Sequence, residues 1–350
     1  MKKKFGRRIM ICIGILTLPG MLFGCSGSNS NDPDPLPEEK ASIQDYFPML
    51  ENVRYVYEGK GNEYATYETY TEYTFGDKMQ QRVENGGTVV NQVYQVTEEK
   101  VTRLLARGET YYRENMLEKG DMEEVLLMEP LEVGTTWSLK DGRERTITSL
   151  DSKVETPSGS YKAIEVITES KDSTTTDYYA KGVGLVKSVF ASNGVEISSS
   201  LKEMEADTDR VEMVSFYYPN IEEDKIYYIN KEVSFKTNDV TSDVLEKEYK
   251  ESVDQTLGVV IPEETRINEL YLDENNKVRI DLSTGFVQAI NAGGGYESMI
   301  LQSIANTFGH YYNAEEVIIT IDKKPYESGH LSMKEDQSVT VDFENAVEFR

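Results

Sequence analysis

Two histidines and two cysteines are the only imidazole and thiol groups in 350 residues, and their placement limits the chemistry this chain can do. His310 and His330 have no partner at metal-ligand spacing. The sequence contains no H-E-x-x-H, no G-x-S-x-G and no phosphate-loop lysine. A Ser–His hydrolase would have to rest on one of those two imidazoles. Paired carboxylates for glycoside cleavage give no signal, because 62 acidic residues supply accidental pairs throughout. The acidic stretch Asp273-Glu274-Asn275-Asn276 lacks the glycine and the spacing of a calcium loop and reads as a solvated hairpin tip. Gly293-Gly294-Gly295 opens a helical pattern, where free N–H groups can bind an anion. No Lys or Arg sits nearby in sequence, so it reads as a flexible lead-in loop. The reading is of a non-enzyme, with no catalytic residue, metal or cofactor.

One thiol does have a chemistry. Lys2, Lys3, Lys4, Arg7 and Arg8 form a cationic head, followed by an apolar run from Ile9 to Phe23. The run is shorter than the ~20 residues that span a bilayer as a helix, and it reads as an export signal over residues 1–24. Leu22-Phe23-Gly24-Cys25 resembles the bacterial lipobox, which implies diacylglycerol on the Cys25 sulfur and cleavage before it. Cys12 leaves with the signal, so Cys25 is the one thiol of the mature chain and no internal disulfide can form. Two acyl chains, each buried methylene contributing about 0.8 kcal/mol, satisfy the requirement of stable anchoring. Residues 25–42, rich in Ser, Gly, Asn, Asp and Pro, read as a lipidated flexible tether. It would average roughly 20–24 Å in span. These features place the chain on the outer face of the cytoplasmic membrane.

Composition narrows the partners. Loss of the signal removes five positive charges and no acids, taking the formal charge from −25 to −30. Such a surface opposes nucleic acid, whose binding neutralises phosphates, and anionic lipid alike. Outside the membrane no ATP or NADH is supplied, which argues against nucleotide-driven chemistry. The ~310 residues after the tether exceed one ordinary core and indicate two domains.

The sequence divides into two regions with different patterns, which together read as α+β. Residues 43–203 read as an all-β antiparallel domain: short Tyr-, Thr- and Val-rich runs alternate with turn signals such as Asn85-Gly86-Gly87 and Asn193-Gly194. A sandwich, an open barrel or a strongly curved sheet all fit. Trp137, the only tryptophan, reads as a core anchor. Within this domain Tyr64, Tyr67, Tyr70 and Tyr73 form a possible binding surface able to stack on sugars or on a partner's aromatics. Spacing by three suits neither a strand nor a helix. On one strand Tyr73 shares a face with Thr71 and Phe75, while Tyr70 takes the other. Tyrosine also favours strands for packing alone, and that use weighs against the first.

The charged segment 204–212 reads as a linker. Beyond it, residues 213–343 mix strands with two amphipathic helices, one carrying Val244, Leu245, Tyr249 and Val253, the other Ile300, Leu301, Ile304 and Phe308. Two helices packed on one face of a mixed sheet are expected.

The order of motifs in this region resembles the GerMN domain of the spore-germination and sporulation lipoprotein family. It runs from Phe216-Tyr217-Tyr218-Pro219 through Val259-Val260-Ile261-Pro262 to Val278-Arg279-Ile280-Asp281-Leu282-Ser283 with Phe286. The helix Tyr296 to Phe308 and Val317-Ile318-Ile319-Thr320-Ile321-Asp322 complete it. The family's name-giving members carry a tandem pair, whereas one such module stands here behind an unrelated β domain. The resemblance implies a non-catalytic module that docks an envelope protein, in a Gram-positive and sporulation- or germination-related setting. The alternative is a lipoprotein whose β domain grips cell-wall glycan or a lipid.

Overall fold

The computed structural model describes residues 41–251 and 253–350. The expected signal, the expected lipidation site Cys25 and the expected tether up to residue 40 lie outside the described residues. A one-turn helix α1 (Ile43–Tyr46) leads in, capped by Ser42, whose main-chain N–H donates to the Asp45 carboxylate at 2.8 Å. Twelve strands then follow with turns between them. They are β1 (Arg54–Lys60), β2 (Tyr67–Phe75), β3 (Lys78–Glu84), β4 (Val89–Val96), β5 (Lys100–Gly108) and β6 (Glu124–Met128), continuing with β7 (Thr136–Ser138), β8 (Glu144–Thr156), β9 (Gly159–Glu169), β10 (Thr174–Ala180), β11 (Gly184–Ser192) and β12 (Val195–Glu205).

All twelve lie in one antiparallel sheet, ordered β6-β5-β4-β3-β2-β1-β12-β11-β10-β9-β8-β7. Almost every neighbour in space is a neighbour in sequence, as hairpin turns dictate. The β11–β12 turn shows the cause: Asn193 and Gly194 both take positive φ, giving the two-residue turn whose twist matches the strands. A sheet this long curls, and its free edges β6 and β7 come together through side chains. Trp137 of β7 donates its indole N–H to the Val125 carbonyl of β6 at 3.0 Å. Arg145 of β8 donates to the same carbonyl and, at 2.7 Å, to Glu124. The open-barrel expectation is the one realised, with Trp137 a seam as well as a core residue.

The C-terminal part holds two sheets, where one was expected. The first pairs β13 (Arg210–Asn220) antiparallel with β14 (Lys225–Phe235). The second is built on β15 (Ile267–Leu272), β16 (Val278–Leu282) and β17 (Glu316–Ile321), with β16 and β17 parallel. Two short strands, β18 (Lys324–Pro325) and β19 (Ser338–Thr340), both pair with β17. The last strand, β20 (Ala346–Glu348), lies beyond the expected end at residue 343 and pairs parallel with β14.

Three helices fill the space: α2 (Thr241–Lys250), α3 (Gly285–Ile290) and α4 (Gly294–Tyr312). Both long helices touch strands of both sheets, so they are layered between them rather than laid on one face. The apolar stripes agree with that position. Leu245 and Tyr249 of α2 and Ile300, Leu301, Ile304 and Phe308 of α4 are all buried in one core with Phe216, Val233 and Ile280. The expected linker 204–212 is mostly strand at its ends, β12 reaching Glu205 and β13 starting at Arg210. Its charges are not merely solvated: Arg210 pairs with Glu212, and the Tyr311 hydroxyl donates to Glu212. Residues 41–350 cluster as one unit.

Candidate functional site

Alternation along the curled sheet sends every second side chain to its inner side. There a cavity of about 350 Å³ opens between two apolar clusters. Aromatic rings form much of its wall. Tyr57 and Tyr67 stack with centroids 4.5 Å apart, and Phe47, just after α1, packs against Tyr94 at 5.1 Å and Tyr179 at 6.5 Å. Burial pushes the Tyr55 and Tyr94 phenols up to about 12, so both stay neutral hydroxyls.

Four charged residues also line this space. Glu124 is held between Arg103 and Arg145, with Arg143 approaching from the more exposed side at 3.3 Å. Burial works against its charge, but the arginines outweigh it and hold the carboxyl below the ordinary glutamate range. Every nitrogen of the Arg145 guanidinium has an acceptor: Thr168 at 2.9 Å, the Val125 carbonyl and Glu124. Arg103 is less complete, because its Nε finds no partner among the described residues. Among the described residues no Lys or Arg pairs directly with Asp177. It accepts from the Ser188 hydroxyl at 2.6 Å, and burial pushes its carboxyl upward despite that bond and the more distant arginines.

The four tyrosines read from the sequence do not share one surface. Tyr64 stands 53% exposed on the 3-10 turn Glu63–Ala65. Tyr67 lines the cavity. Tyr70 and Tyr73 are both buried on the opposite side of the sheet. A bulge explains why those two fall together: Thr71 faces Gln81 while Tyr73 faces Gln80, so one extra residue reverses the alternation at Glu72.

That outer side carries the contact with the C-terminal part. The Tyr70 hydroxyl reaches the Thr208 and Phe235 carbonyls, both at 3.2 Å. Asn52 and Thr237 exchange two hydrogen bonds, 2.7 and 2.8 Å long, and the Thr237 hydroxyl donates to the Thr71 carbonyl at 2.6 Å. Arg113, only 1% exposed, comes from the segment between β5 and β6. It donates to the carbonyls of Glu72 at 2.9 Å, Lys236 at 2.8 Å and Asp239, and lies 4.3 Å over the Tyr73 ring.

In the C-terminal part the conspicuous polar residues are engaged in holding elements together. Asp281 accepts from Thr320 at 2.6 Å, the Lys323 N–H at 2.7 Å and Asn268 at 2.9 Å. Glu246, on α2, accepts from Lys250, Arg266 and the Ile267 N–H. Within the glycine run only Gly294 is closely packed, where a Cβ would meet His330 at 3.3 Å, while Gly293 and Gly295 face open space; Glu297 in the first turn of α4 accepts from Tyr326 at 2.6 Å. The Tyr217 hydroxyl lies 3.1 Å from His310 Nδ1, while His330 sits in a separate exposed loop. Asp273 accepts from two main-chain N–H groups and from Arg279. No group of three or more His, Cys, Asp or Glu able to hold a metal occurs among the described residues.

Residues 215–327 match the family model Germane, described as sporulation and spore germination. This stretch is a Germane domain. No curated protein matches the chain. Among solved structures, the tandem GerMN domains of the sporulation protein GerM from Bacillus subtilis align at 16% identity and a TM-score of 0.27. That alignment covers 37% of this chain and 46% of that one. An exported protein with YmcC-like fold from Bacteroides fragilis aligns at 11% identity and a TM-score of 0.30, over 47% of this chain and 100% of its own. A lipoprotein from Clostridium perfringens aligns at 15% identity and 0.25, over 38% and 87%.

Sequence reasoning missed the residues that join the Germane domain to the β sheet, and it missed the cavity. A buried arginine in a loop has no sequence signature. Arg113 sits in Tyr111-Tyr112-Arg113-Glu114-Asn115, where the aromatic pair was the one available hint of burial.

Proposed function

We propose that this chain is an extracytoplasmic, non-catalytic lipoprotein that presents its Germane domain to an envelope protein, in a sporulation- or germination-related setting. Diacylglycerol on Cys25 supplies the anchor in this reading. The β domain, residues 43–203, serves as the mount. The observation that carries the reading is the Germane match at 215–327. The Arg113 and Asn52–Thr237 contacts support it, because a docking module gains from a fixed orientation. A mount tied by buried hydrogen bonds loses less freedom on binding than one on a loose linker.

The test is site-specific crosslinking in intact cells of the host. A photo-reactive side chain placed at Val259 or Tyr271, 64% and 41% exposed in the Germane domain, should trap one recurring envelope protein. Cells lacking the chain should show a sporulation or germination defect. No recurring adduct from these positions, together with normal spores, would contradict the reading.

A further inference from the structure

The cavity on the inner side of the β sheet is a ligand site, and the geometry points to a neutral saccharide as its occupant. This rests on the sheet alone and not on the docking role of the Germane domain. At about 350 Å³ the cavity falls at the small end of the ~300–1,000 Å³ typical of ligand pockets, with room for one or two sugar rings. Flat aromatic faces are supplied by Tyr57, Tyr67 and Tyr179, onto which the C–H face of a pyranose can stack. Polar groups stand around them with capacity to spare. Among the described residues Asp177 takes one hydrogen bond from protein, and Arg103 lines the same space. Gln81 is a further polar residue of the lining.

The charge arrangement selects against the other classes. Two arginines and two carboxylates line the cavity, so it carries no net formal charge to recruit an ion. A small cation would face Arg103 and Arg145. An anion would face Asp177 and Glu124. A hydrocarbon chain would leave the Asp177 carboxylate facing methylenes, with its remaining lone pairs unmatched. A polyol both donates and accepts. Its hydroxyls can donate to the Asp177 carboxylate and accept from Arg103, while its carbon face covers the rings.

The experiment titrates the full chain with three probes: N,N′-diacetylchitobiose, maltose and a fatty acid, followed by calorimetry or saturation-transfer NMR. At least one disaccharide should bind. Asp177→Asn should weaken that binding by about tenfold without lowering the melting temperature, about what one charge-assisted hydrogen bond provides. Tyr67→Leu should weaken it through loss of the ring, and serves should Asp177→Asn fail to fold. Chitobiose bound in preference to maltose marks a wall glycan as the source, and the reverse marks a free sugar. Binding of the fatty acid alone, binding of no probe, or sugar binding indifferent to both substitutions overturns the proposal. None of these outcomes bears on crosslinking from the Germane surface.

Discussion

The guanidinium of Arg113 lies 4.3 Å above the ring of Tyr73, and the same group donates to the Lys236 carbonyl at 2.8 Å. One side chain from a loop of the β sheet thereby touches the sheet and the strand that leads into α2. Arg113→Ala would strip a buried donor from three carbonyls, at ~1–3 kcal/mol for each group left unpaired. A loss of about 3–5 kcal/mol in urea denaturation is expected. Arg113→Lys should recover less than half, since an ammonium cannot reproduce the planar fork. A change under 1 kcal/mol for the alanine variant would show that the two parts are held by other contacts.

Acid should act on the cavity in two opposed ways. Glu124 titrates below the ordinary glutamate range when folded, so the unfolded chain binds its proton more readily. Its contribution is complete above the unfolded pKa near 4.5 and is lost as pH falls through the depressed folded value. Asp177 is raised, so the folded chain holds that proton more readily. Its charge therefore costs stability as pH climbs from 3.8 through the raised folded value. Melting curves between pH 3 and 8 should show a shallower acid limb for Glu124→Gln, with about 3 kcal/mol lost at neutral pH from two arginines left unmatched. Asp177→Asn should be as stable as the parent or more so at neutral pH. A destabilised Asp177→Asn together with a neutral Glu124→Gln would reverse these assignments.

Gly59 of β1 is a place where the backbone admits no side chain. A Cβ there would stand 2.2 Å from the Ala65 carbonyl carbon and 2.3 Å from the Thr66 nitrogen, because the turn Glu63–Ala65 folds back onto the strand. The clash is with main chain and cannot be relieved by a rotamer. Gly59→Ala should cost about 1–3 kcal/mol. By contrast Gly108→Ala, which meets nothing within 4 Å, should cost well under 1 kcal/mol. Equal melting temperatures for the two variants would mean that the turn is not seated as described.

Much of the fold could be read in the sequence, because its causes are local. Asn193-Gly194 specifies a hairpin wherever it stands between strands, and the stripe from Ile300 to Phe308 specifies a buried helix face. What escaped depends on distance in sequence. The bulge at Glu72 turns Tyr73 to the same side as Tyr70, and nothing in Tyr70-Thr71-Glu72-Tyr73 marks it. Strand β20 exists because Ile226, more than a hundred residues earlier, pairs with Ala346. Helix α3 is a six-residue piece behind Ser283, too short to show a period. The cavity is assembled from residues between Phe47 and Leu185, each of which alone reads as an ordinary strand or loop residue.

Fractionation of host cells tests the proposed anchor, a thioether-linked lipid on Cys25 that holds the chain outside the cytoplasm. Wild-type chain should sediment with the membrane, partition into detergent and be digested by protease added to cells stripped of their wall. Cys25→Ser should abolish the detergent partitioning while leaving the melting curve of residues 41–350 unchanged. A Cys25→Ser chain that still partitions with lipid, or a wild-type chain protected from external protease, would rule out the proposed anchor.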